Sequence, residues 1–139
     1  LVEELRDVSD GAFDLAEGER HMVEKLRSGA RIDRYRNTDS AAVSRIHQLY
    51  GDSASFDFSP YHGTCSLVFI DASHAYEYVL SDSRAALKMI RPGGVILCHD
   101  YGIWSGVTDA LEHLAAGEMP DIRCIQGTSL ACWRRPGNT

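Results

Sequence analysis

The sequence predicts an α/β fold: a mainly parallel sheet with an antiparallel hairpin at its C-terminal edge. Three observations carry this. Two continuous apolar runs, residues 66–70 (SLVFI) and 95–98 (VILC), each end at polar, chemistry-bearing residues, as expected of strands buried on both faces. A segment of helical periodicity lies between them, which is how consecutive parallel strands are joined. Two final apolar segments are separated only by Gln126, Gly127 and Thr128, a connection short enough for a hairpin.

Taken in order, residues 2–26 read as a helix. Leu15, Ala16, Met22, Val23 and Leu26 recur at helix spacing, while Glu17, Glu19, Arg20, Glu24 and Lys25 fill the other positions. Ser9 or Asp10 could cap its longer part, and Ser28 and Gly29 supply the stop. Residues 31–40 are polar and carry Arg31, Arg34 and Arg36, so residues 1–40 are expected to form a helical N-terminal arm and residues 41–139 the α/β domain. Residues 45–50 (RIHQLY) alternate apolar and polar, which predicts a strand ended by Gly51, Asp52 and Ser53. The run 66–70 closes at Asp71. Residues 76–90 predict a helix burying Val79, Leu80, Ala86, Leu87 and Ile90 and stopped by Pro92, Gly93 and Gly94. The strand 95–98 ends at His99 and Asp100. Residues 106–117 predict a second helix through Val107, Ala110, Leu111 and Leu114, and segments 122–125 and 129–133 the hairpin.

Composition narrows the function classes. A chain of 139 residues suffices for one domain with a hydrophobic core, and 44% hydrophobic with 24% charged residues is ordinary for a globular protein. The formal net charge of -6, with no basic run, argues against a nucleic-acid partner. No apolar run approaches the roughly 18 residues of a membrane span, and no signal-peptide pattern precedes the first helical segment. Cys65, Cys98, Cys124 and Cys132 lack CxxC spacing, and the last three lie in apolar segments. They are expected to be reduced core thiols of a cytoplasmic protein.

In open parallel sheets, ligands bind beyond the carboxyl ends of the strands. Gly51, Asp52 and Ser53, then Asp71, Ser73 and His74, then His99, Asp100 and Tyr101 are therefore the residues expected to converge. The run LVFIDASHAYEYVLSDSRAALKMIRPGGVILCHDY resembles the fourth strand, following helix and fifth strand of class I S-adenosylmethionine (SAM) dependent methyltransferases. It is most similar to a group reading FIDxSHxYxxVxxD and then LxPGGxIxxHDY. GDSASFDFSPY before it and the hairpin through GTSLACW also resemble that group, so the likeness covers residues 44–135.

The resemblance implies a Rossmann-like methyltransferase sheet, SAM as cofactor and a small-molecule acceptor, with hydroxyl O-methylation foremost. Sugar hydroxyls, phenols and amines all remain open. It places Gly51, Asp52 and Ser53 at the adenine, where Asp52 can accept from the exocyclic amine and Ser53 can donate to a ring nitrogen. The alternative for these three is a simple turn. Asp71 counts among the cofactor-side residues. Asp71 and Asp100 also match carboxylates that hold a divalent cation in O-methyltransferases of the catechol and caffeoyl type, for which Mg²⁺ suits the hard oxygen donors. Tyr101 stands where that group has Asn. Asp71 and Asp100 read equally well as strand-end caps. His74 matches a basic catalytic position and His99 is a second candidate, since imidazole can take a proton near neutral pH. The alternative for each is a loop hydrogen bond. Trp104, Tyr76 and Tyr61 flank these strand ends and read as pocket walls or as packing. His21, His47, His62 and His113 read as structural or surface residues.

One family feature is missing. Residues 1–40 contain no apolar strand running into a Gly-rich turn, and no acid after a second strand for the ribose hydroxyls. In the family's strand order, 3-2-1-4-5-7-6, the sheet would lack its first strands and leave an exposed edge. Dimerisation or a larger homo-oligomer is therefore expected. The start at Leu1 adds the expectation of a fragment or processed chain, and weak or no SAM binding by the isolated chain follows. Two readings stay open: a SAM-dependent methyltransferase, and a non-catalytic methyltransferase-like module for binding or assembly. A nucleotide-binding oxidoreductase is disfavoured because no GxGxxG opens a βαβ unit.

Overall fold

The apolar runs form the strands expected of them. The computed structural model describes residues 11–19, 41 and 44–137. Its elements are β1 (Cys65–Ile70), α1 (Tyr76–Met89), β2 (Ile90–Cys98), α2 (Ser105–Ala115), β3 (Arg123–Cys124) and β4 (Ala131–Arg134), with a 3-10 turn at Ser59–Tyr61. The sheet order is β1-β2-β4-β3. β1 and β2 are parallel and joined through α1, while β4 runs antiparallel to both β2 and β3. The result is an α/β fold whose parallel part is the β1-β2 pair and whose far edge is the C-terminal hairpin.

Helix α1 ends where β2 begins, earlier than Pro92 and Gly93 suggest. Those residues sit inside the strand instead. Cys65 pairs with Ile90 and Leu67 with Val95, so residues between Ile90 and Val95 bulge out of the ladder. The bulge accommodates a proline that has no N–H to contribute.

Both helices pack on one face of the sheet. Val79, Leu80 and Ala86 of α1 meet Val107, Ala110, Leu111 and Leu114 of α2 over Ile90, Ile96 and Cys98 of β2 and Ala131 and Trp133 of β4. Met119 completes this core, and the buried Trp133 indole donates from Nε1 to the Pro120 carbonyl at 2.9 Å. On the opposite face Leu67 and Phe69 are 57% and 52% exposed. Among the described residues, β1 is an edge strand.

Two expectations are corrected. Residues 46–50 are not a strand: Ile46, Leu49 and Tyr50 are half exposed and the backbone joins no ladder. Alternation alone does not form a strand without a neighbour to take its hydrogen bonds. Residues 11–19 are bends and a turn, so no continuous helix spans 2–26. The rest of the expected N-terminal arm lies outside the described residues. No helix among the described residues is long and apolar enough to cross a membrane.

Candidate functional site

Parallel pairing brings the ends of β1 and β2 to the same edge. Ile70 pairs with Cys98, and the His99 amide extends the ladder by donating to the Ile70 carbonyl at 3.0 Å. Asp71 therefore lies beside His99 and Asp100. The chain then turns sharply, because Asp100 adopts a left-handed conformation with φ of 63°. Asp and Asn tolerate this region better than most residues. The turn lets the Asp100 carbonyl accept from the amides of Ile103 and Trp104, which launches α2.

The loop from β1 to α1 is held from below by a residue far away in sequence. Glu19, only 4% exposed, accepts from the amides of Ala16 (2.8 Å) and His74 (2.6 Å) and from the Ser73 hydroxyl (2.9 Å). Its Oε1 also lies 2.7 Å from His74 Nδ1. The other ring nitrogen, His74 Nε2, lies 2.8 Å from Asp100 Oδ2. The His74 ring stacks on Trp104, with centroids 4.4 Å apart and planes 13° from parallel.

Beyond Asp100 the row continues. His99 Nδ1 lies 3.0 Å from Asp100 Oδ1 and 3.4 Å from Asp71 Oδ1. Carboxylates and imidazoles thus alternate as Glu19, His74, Asp100, His99 and Asp71. Side-chain exposure rises along the row from 5% through 13%, 18% and 38% to 50%, so the row leads from the interior to solvent. His99 Nδ1 is buried and hydrogen-bonded to neither carboxylate, because close approach there lacks the required alignment. Ligand atoms of Asp71, His99 and Asp100 all lie within 4.8 Å of one another, beside a cavity of about 10 Å³ that both strand ends line. Two converging carboxylates and a buried, unpartnered nitrogen fit a divalent cation.

The remaining candidates divide. Gly51, Asp52 and Ser53 lie on an irregular segment instead of at a strand end. Asp52 ties down its surroundings, with Oδ2 accepting from the Ala12 amide at 2.7 Å and Oδ1 from the Ala54 amide at 3.0 Å. Ser53 faces the buried Asp82 of α1. Burial raises the Asp82 carboxyl above its ordinary range, and the Ser53 hydroxyl acts against that shift. Ser53 also lines a larger cavity of about 440 Å³, together with Phe13, Phe56, His62, Arg84 and Lys88. That cavity lies outside the Asp71, His99 and Asp100 cluster.

Tyr76 points across to α2, its hydroxyl 3.1 Å from His113 Nδ1, so His113 has a partner that its sequence context does not reveal. Tyr101 turns its hydroxyl towards Glu112 at 3.5 Å, away from the cluster. His47 and His62 are exposed, and His21 lies outside the described residues. All four cysteines are free. Burial pushes the Cys98 thiol up to about 12, whereas Cys124, expected in the core, is exposed on the two-residue edge strand β3.

Sequence reasoning missed Glu19, reading it as part of a polar helix face. No local pattern marks it, because its partners lie 54 and 55 residues away.

A Rossmann-like sheet with carboxylates and imidazoles at the carboxyl ends of its parallel strands defines the class. Residues 2–101 match the methyltransferase domain family, and the chain belongs to it. In structure the chain is similar to the O-methyltransferase NovP, with a TM-score of 0.66 and 18% sequence identity. The match covers 97% of this chain and 57% of that one, so the chain spans little more than half of that structure's length. Comparison with curated protein sequences gives no match.

Proposed function

We propose that the chain serves SAM-dependent methyl transfer to the hydroxyl of a small molecule, assisted by Mg²⁺ held by Asp71 and Asp100. The observation that carries this reading is the convergence of Asp71, His99 and Asp100 at the ends of β1 and β2, within the segment that matches the family. When bound, SAM supplies an electrophilic methyl group and the cation lowers the pKa of a neighbouring hydroxyl.

The protein's own groups supply the rest. Gly51, Asp52 and Ser53 form the adenine side. The Asp52 carboxylate keeps lone pairs free for an amine after its two backbone contacts. Asp71, the most exposed member of the row, faces the incoming ligands. His99 takes the acceptor's proton at Nε2, which lies 3.4 Å from the Ser129 hydroxyl, on the side of the ring away from the two carboxylates near Nδ1.

A second reading of His99 rests on its unpartnered Nδ1 and on Tyr101 being turned away. In that reading His99 is a third donor to the cation. A half-exposed apolar face beside an edge strand supports a homo-oligomer as the working state.

The test is transfer of label from methyl-labelled SAM to a panel of catechols, other phenols and sugar hydroxyls, with Mg²⁺ and after chelation. Metal-dependent transfer that is lost in Asp71→Asn and Asp100→Asn supports the reading. Transfer indifferent to both substitutions, or none to any hydroxyl, refutes it.

A further inference from the structure

We propose that Glu19 and His74 are positioning residues for Asp100, forming a buried bridge that fixes which way the Asp100 carboxylate faces. The inference rests on the reading above for what Asp100 binds. The bridge itself rests on geometry alone.

An aspartate at a strand end rotates easily about its side-chain torsions, yet a cation site needs its oxygens held to within a few tenths of an ångström. Asp100 is constrained on two sides. Its backbone sits in the left-handed region, anchored by the two amides that donate to its carbonyl. Its Oδ2 is engaged by His74 Nε2, which leaves Oδ1 turned towards His99 and Asp71. His74 can impose this direction only if its own ring is fixed. Three contacts fix it: Glu19 Oε1 at Nδ1, Glu19 Oε1 again at the His74 amide, and the Trp104 face beneath the ring. A carboxylate oxygen stands within hydrogen-bond distance of each ring nitrogen, so both are engaged.

Glu19 is equally determined, because its two oxygens take three donors and also meet His74 Nδ1, and little of it reaches water. A buried carboxylate with every contact satisfied, 55 residues from its main partner, joins the N-terminal segment to the site. His74 thus acts through Asp100, since neither ring nitrogen is left for an acceptor.

Such supporting contacts around a metal site are worth about 10–100-fold in metal affinity. The experiment measures Mn²⁺ binding to the full chain by electron paramagnetic resonance, with no SAM or acceptor present. Wild type is compared with Glu19→Gln, His74→Gln, His74→Ala and Asp71→Asn. Glu19→Gln sets an amide N–H₂ against a group of donors and is expected to weaken Mn²⁺ binding by about 10–100-fold. His74→Gln keeps one donor for Asp100 and should retain more affinity than His74→Ala. A merely structural role would lower thermal stability without that grading. If Glu19→Gln binds Mn²⁺ like wild type while Asp71→Asn has lost it, the bridge is overturned and the metal reading stands. If wild type itself binds no better than Asp71→Asn, the metal reading falls and takes this inference with it. Should the Glu19 variant fail to fold, the two His74 variants decide: weaker Mn²⁺ binding in His74→Ala than in His74→Gln supports the bridge, and wild-type affinity in both overturns it.

Discussion

Gly106, in the first turn of α2, is where the core helix touches the loop that carries His74. A Cβ at this position would fall well inside contact distance of the His74 carbonyl oxygen and 2.9 Å from the Tyr76 amide nitrogen. Both are backbone atoms of a loop pinned by Glu19, so they cannot swing aside as the tip of a side chain could. Replacing Gly by Ala within a helix gains about 1 kcal/mol in propensity. Forcing a methyl group into occupied space costs about 1–3 kcal/mol, with the upper end expected where backbone must move. Gly106→Ala should therefore lose about 1–2 kcal/mol net, read as a lower urea midpoint at unchanged slope. Gly117→Ala is the control. A Cβ there would meet nothing within 4 Å, and the backbone φ is not positive, so the change should be neutral or gain about 0.4–1 kcal/mol. Because the strain falls on His74, Gly106→Ala should also weaken Mn²⁺ binding, which Gly117→Ala should not. Equal stability of the two variants would refute the close-contact reasoning.

Other outcomes follow from the same geometry. His99→Ala separates its two proposed roles: preserved Mn²⁺ affinity with lost methyl transfer marks a proton acceptor, whereas lost affinity marks a ligand. Asp82 has a carboxyl raised by burial and an unpartnered Oδ1, so the native state binds its proton more tightly than the unfolded chain. Its contribution therefore destabilises as pH rises through and above the ordinary Asp range. Asp82→Asn should add about 1 kcal/mol at neutral pH and nothing in strong acid, as checked by denaturant melts across that range. Iodoacetamide at neutral pH should label exposed Cys124 in the native chain and spare Cys98, whose thiol is pushed up to about 12; mass spectrometry of peptides reads this directly. Light scattering at high protein concentration should show a dimer or larger, and a clean monomer would count against an interface on Leu67 and Phe69.

Where local sequence determines structure, the elements are legible. Unbroken apolar runs specify β1 and most of β2, and helical spacing specifies α1 and α2, because burial on a sheet or against a neighbour helix is encoded by periodicity. The short connection specifies the hairpin. The convergence of Asp71, His99 and Asp100 is legible once two parallel strands are assigned, since parallel strands must end at one edge. Glu19 is not legible: its burial is a tertiary event, and a Glu between Gly18 and Arg20 looks like any solvated position. Residues 45–50 show the converse. Their alternation is a strand signal, but ladder partners and not the pattern decide whether a strand forms.

The graded exposure of the alternating row has a consequence for how such a site could diversify. Its inner end is over-determined: changing Glu19 strands several donors at once, so a substitution there is costly. Its outer end, at Asp71, is half exposed to solvent. Acceptor preference could drift by changes around Asp71 while the inner end keeps the reacting groups in register. The gradient from core to surface is in that sense a division between what must stay fixed and what is free to vary.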